Sequence, residues 1–102
     1  MGVVTVGDVA AGRAGDKGST LDLTVVARDA RAYAALCAAL TPEAVSARLG
    51  LPRARRYELP GLLALKFVVP GALGAGPWAS RRAGLHWQKA AISAVLEMGV
   101  RL

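Results

Sequence analysis

The chain has 102 residues, with 13 Lys and Arg against 7 Asp and Glu and a formal net charge of +6. Hydrophobic residues make up 54 % and charged residues 20 %, a balance that argues against intrinsic disorder and fits one core-forming domain over residues 1–102. The single cysteine, Cys37, allows no intramolecular disulfide, and with the lone His86 it cannot supply the roughly four ligands of a structural zinc site. No metal is expected, and reducing, cytoplasmic surroundings are. Met1 to Asp8 has no basic flank before its short apolar run, so no secretory leader is expected. No apolar run approaches the roughly 18 residues of a membrane-spanning helix.

In chain order, Val3 to Ala10 is rich in Val and Thr and reads as a strand. Gly12 to Gly18 holds three glycines and reads as a loop. Leu21 to Arg28 alternates, with Leu21, Leu23 and Val25 on one face and Asp22, Thr24 and Arg28 on the other. Asp29 suits the N-cap of an alanine-rich helix whose apolar stripe is Ala30, Tyr33, Ala34, Cys37 and Leu40. Thr41 and Pro42 suit the start of a second, short helix, and Gly50 its C-terminal cap.

Arg53 to Leu59 reads as a strand with Arg55, Tyr57 and Leu59 on one side and Arg56 and Glu58 on the other. Pro60-Gly61 marks a turn. Leu62 to Val69 is the most apolar strand, with Lys66 opposite Leu63, Leu65, Phe67 and Val69; Pro70 ends it. Gly71 to Pro77 is a second glycine loop. A final helix runs from Trp78 or Gly84 to Met98, and Val100 to Leu102 fits a terminal edge strand. This order predicts an α+β, ferredoxin-like two-layer sandwich with an additional N-terminal strand. Helices on one face leave the other open, and Val4, Val6, Val26, Leu62, Ala64 and Val68 are candidates for an apolar second face. Such a face predicts a partner or a homo-oligomer.

Two glycine-bearing stretches are the candidate ligand-binding segments. In the first, Arg13, Gly15, Asp16, Lys17, Gly18 and Ser19 combine a guanidinium fork, a lysine and flexible backbone. That set can cradle an anion in a nest of backbone N–H groups, or simply form a tight turn with a solvated lysine. In the second, Gly71, Gly74 and Gly76 stand between a strand and a helix, a context shared by phosphate sites and by plain connectors. Neither matches a Walker loop or a dinucleotide fingerprint.

The run Gly12-Arg13-Ala14-Gly15-Asp16-Lys17-Gly18-Ser19-Thr20-Leu21-Asp22-Leu23, continued by Val26-Ala27-Arg28, resembles the signature of the ferredoxin-fold domain of AtuA-like proteins, named for acyclic terpene utilisation. Arg56-Tyr57-Glu58-Leu59-Pro60 and Val69-Pro70-Gly71-Ala72-Leu73-Gly74-Ala75-Gly76 are similar to two later segments of that family. Ser19, Leu21, Asp22 and Trp87 depart from the family pattern. The resemblance implies a small subunit or accessory domain beside a large AtuA-like protein, in acyl-CoA-type metabolism of branched or terpenoid acids. A coenzyme A thioester is then a candidate substrate rather than a resident cofactor. The resemblance assigns no catalytic residue.

The remaining charge collects at Arg53, Arg55 and Arg56 and at Arg81-Arg82, which read as a solvated surface or as a face for an anionic partner. An RRM-like nucleic-acid module shares the element order. Against it, Leu65-Lys66-Phe67-Val68-Val69 lacks the glycine and paired aromatics of the RNP1 pattern. His86 has no evident acid partner, and Cys37 reads as a buried small hydrophobe. The sequence identifies no catalytic residue.

Overall fold

The structure is a computed structural model. It describes residues 2–17, 20–51, 53–72 and 87–102, with the backbone alone at Asp16, Lys17, Trp87 and Gln88. The elements are β1 (Val3–Thr5), α1 (Val6–Val9), β2 (Ala10–Lys17), β3 (Thr20–Ala27), α2 (Ala30–Ala39), α3 (Pro42–Leu49), β4 (Arg55–Leu59), a 3-10 turn (Pro60–Leu62), β5 (Ala64–Val69), α4 (Trp87–Leu96) and β6 (Gly99–Arg101).

The main sheet has four strands in the order β2-β3-β5-β4, and every neighbouring pair is antiparallel. β3 and β4 therefore run parallel with β5 between them, and α2 and α3 form the crossover. That is the split βαβ unit of a ferredoxin-like α+β fold. The strand that flanks β3 is β2, whereas the additional strand expected over Val3 to Ala10 is reduced to β1 and lies outside this sheet. The C-terminal β6 pairs instead with β1 in a separate two-stranded sheet.

Local chemistry sets the helix ends. Asp29 Oδ1 accepts from the Ala32 N–H at 2.8 Å, and Thr41 Oγ1 accepts from the Ala44 N–H at 3.0 Å. Pro42 stands in the first turn of α3, and Gly50 closes that helix in the left-handed region with φ 67°. Two arginines satisfy carbonyls that helix ends leave without partners. Arg56 Nη1 donates to the Cys37 carbonyl at 2.7 Å and the Leu40 carbonyl at 3.1 Å. Arg48 Nε donates to the Ala94 carbonyl of α4 at 2.9 Å.

The core lies between the sheet and the helices. Leu21, Leu23, Val25 and Ala27 of β3 and Leu65, Phe67 and Val69 of β5 are buried on the inner face. Leu23 stands opposite Phe67, and Leu21 opposite Val69. Ala32 and Leu36 of α2 with its C-cap Leu40, Val45 and Leu49 of α3, and Ala91 and Val95 of α4 close the layer.

The structure departs from the sequence pattern at several places. Val3 to Ala10 is one short strand followed by a single helical turn, because Asp8 Oδ2 accepts from the Thr5 N–H at 2.9 Å and folds the chain back. Gly12 to Lys17 is strand, not loop: β2 pairs with β3 from Ala10↔Ala27 to Lys17↔Thr20. Gly12 serves packing there, since a Cβ on it would meet Ile92 and Leu96 of α4. The inner stripe of α2 is Ala32, Leu36 and Leu40, whereas Ala30 and Ala34 are exposed and Cys37 is only half-buried. Val6 is buried in the core, and Ala64, although its register sets it on the outer face between Val26 and Leu59, is itself buried. Arg56 is a capping group, 17 % exposed, not part of a solvated basic cluster. The start of the final helix before Trp87 lies outside the described residues.

Candidate functional site

The outer face of the main sheet is built by strand alternation, which sends every second side chain away from the core. The register gives three rows across the strands in the order β2, β3, β5, β4. One row is Arg13, Thr24, Lys66 and Tyr57. The next is Gly15, Asp22, Val68 and Arg55, and a third is Ala11, Val26, Ala64 and Leu59.

Most of these rows are exposed or half-buried; Ala64 alone among them is buried. Tyr57 is 48 % exposed, Val26 41 % and Leu59 38 %, values that a packed sheet face would not leave. Leu62, just beyond β4, adds an exposed apolar side chain. Tyr57, Leu59, Lys66 and Val68 line a shallow depression of about 470 Å³. A second groove, of about 380 Å³, lies between α2 and the small sheet and is lined mostly by Val3 and alanines.

The electrostatics of the open face are uneven. Lys66 Nζ stands 3.1 Å from Asp22 Oδ2, so this lysine is already paired. Arg13 and Arg55 are exposed and make no hydrogen bond or ion pair among the described residues. Two guanidinium groups on the two edge strands thus lack a counter-charge among the described residues. Across the layer, the Tyr33 hydroxyl is buried without a hydrogen-bond partner among the described residues. Burial raises its pKa above the ordinary phenol value, and the neighbouring Cys37 adds to that shift.

The predicted ligand segments divide. Arg13, Gly15, Asp16 and Lys17 lie along β2, and Gly71 follows β5 with a positive φ of 70°. Lys17 pairs with Thr20, and Leu21 with Val69, so the end of the β2–β3 hairpin and the start of the second glycine stretch share one end of the sheet. Gly18, Ser19, Gly74 and Gly76 lie outside the described residues, as do Arg81, Arg82 and His86. Among the described residues no group of three or more His, Cys, Asp or Glu could hold a metal ion. No helix there is long and apolar enough to cross a membrane.

Alternation in the sequence already set Arg55, Tyr57 and Leu59 on one side. The Asp22–Lys66 pair was missed, because only the β3–β5 register brings residues so far apart in sequence together. In comparisons with known proteins, the family model of the AtuA ferredoxin-like domain matches residues 4–101. No curated protein and no solved structure matches the chain.

Proposed function

The chain belongs to the AtuA ferredoxin-like domain family, and on that premise we propose that it is the small subunit or accessory domain of a larger AtuA-like protein. The observation that carries this reading is the uncovered sheet face with exposed Val26, Tyr57 and Leu59. A small domain that leaves such a face open gains by burying it against a partner. Co-expression with a large AtuA-like protein, with a tag on one chain only, tests the reading. Both chains are expected to co-purify at a fixed ratio; a tagged chain recovered alone contradicts it.

A second reading concerns a ligand. We propose that the two glycine stretches, Arg13 to Ser19 and Gly71 to Gly76, bind an anion, a coenzyme A thioester of a branched or terpenoid acid. The guanidinium of Arg13, which has no partner among the described residues, and the common sheet end of the two glycine stretches support it. Calorimetric titration with coenzyme A thioesters, on the chain alone and on the assembly, is expected to show binding that Arg13→Ala weakens. No heat in either state contradicts it.

A further inference from the structure

We infer that the partner meets the open sheet face with an acidic surface, which sets an apolar side chain into the depression at Tyr57, Leu59 and Val68 and brings carboxylates to Arg13 and Arg55. This deepens the proposed association and rests on it. The first ground is charge. Among the described residues, the three rows carry Arg13, Arg55 and Lys66 against Asp22 alone, and Asp22 is spent on Lys66. Burying Arg13 and Arg55 without counter-charges would cost free energy, so a stable complex must supply them. Carboxylates, the anionic groups that a protein surface offers, match the guanidinium fork in bidentate pairs.

The second ground is what the other occupants would bring. A second copy seated face to face by a two-fold axis would set the same cationic surface against itself. Residues 73–86 of this chain carry Arg81 and Arg82 and no carboxylate, so they supply no counter-charge either. Single-stranded RNA would neutralise the arginines. It would also need stacking platforms, and Tyr57, on an edge strand, is the lone aromatic in the three rows; the central strands offer Thr24, Val26, Lys66 and Val68. Apolar side chains beside unpaired cations fit a protein surface with an apolar anchor and an acidic rim.

The test is affinity of the chain for the large AtuA-like partner, measured by calorimetry on wild type, Arg13→Glu/Arg55→Glu and Arg31→Glu/Lys89→Glu. The second pair makes the same charge change on exposed positions of the helical layer. Thermal unfolding of each variant confirms that it is folded. Reversal on the sheet face is expected to weaken binding by at least about tenfold, and the helical control to change it by less than about twofold. Raising salt from about 0.05 M to about 0.5 M should weaken the wild-type complex. A salt-insensitive complex that tolerates the sheet-face reversal overturns the acidic-surface inference while leaving the association standing. No complex with wild type at low salt overturns both. A wild-type homodimer that the reversal dissolves, or an oligouridine probe held in preference to the protein partner, also overturns the inference.

Discussion

A Cβ on Gly12 would come within 2.7 Å of Ile92 Cδ1 and 2.8 Å of Ile92 Cγ1. This contact fixes how closely α4 lies on β2, and it accounts for glycine inside a paired strand. By contrast, a Cβ on Gly15 would meet nothing within 4 Å. We predict that Gly12→Ala destabilises the fold by about 1–2 kcal/mol through overpacking. Gly15→Ala should be neutral or stabilising by about 0.5 kcal/mol, because it relieves the entropy cost of glycine in a strand. Urea unfolding measures both. Adding Ile92→Ala to Gly12→Ala should cost less than the sum of the single changes, since one removes the atoms that the other strikes.

The two arginines on β4 should behave in opposite ways. Arg56 binds the Cys37 and Leu40 carbonyls from a largely buried position, while Arg55 faces solvent. Arg56→Ala is expected to lower stability by about 1.5–3 kcal/mol, the range for hydrogen bonds to a charged group. Arg55→Ala should stay within about 0.5 kcal/mol of wild type, as for an exposed side chain without partners. Arg56→Lys should recover only part of the loss, because an ammonium cannot reproduce the fork across two carbonyls. Thermal unfolding of the three variants distinguishes these outcomes.

Asp8 makes stability depend on pH. Its carboxylate accepts from the Thr5 N–H, and this bond, with the Thr5 hydroxyl and the more distant Arg28, lowers its pKa. A depressed folded-state pKa means that the unfolded chain binds the proton more readily. The contribution is therefore fully present above the ordinary aspartate pKa and lost as pH falls through the folded value. Urea midpoints measured from neutral pH downward should fall more for wild type than for Asp8→Asn below about pH 4. Parallel curves for the two proteins would remove Asp8 from this account.

The elements legible in the sequence were those whose local chemistry and tertiary role agree. The alternation of Leu21, Leu23 and Val25 gave β3; Asp29, Thr41 and Gly50 marked helix ends that the structure caps as expected. What escaped were places where a residue serves a distant partner. The glycines of β2 read as a loop because nothing local reveals that Gly12 makes room for Ile92. Arg56 looked like surface charge because the carbonyls it caps lie 16 and 19 residues earlier. Asp8 hid a helical turn inside a run rich in Val and Thr. The candidate face was half legible: Arg55, Tyr57 and Leu59 alternated visibly, but only the register set Arg13 and Lys66 in a row with Tyr57.

The net charge of +6 divides in the same way. Arg48 and Arg56 close helix ends, and Lys66 is held by Asp22. Arg13 and Arg55 remain on the open face without partners among the described residues. The apolar part of that face should matter as much as its charge. Leu59→Asp places a carboxylate at the rim of the depression, and we predict that it weakens partner binding by at least about tenfold while changing stability by less than about 1 kcal/mol. Calorimetry and urea unfolding on the same preparation check both halves.

The most direct test of the association is the native mass of the chain co-expressed with a large AtuA-like protein, for wild type and for Val26→Asp/Leu59→Asp. The account predicts a joint species for wild type, and free chain at 10.5 kDa for the folded double variant. Wild type found only as free chain, or a double variant that stays in the joint species, would contradict it.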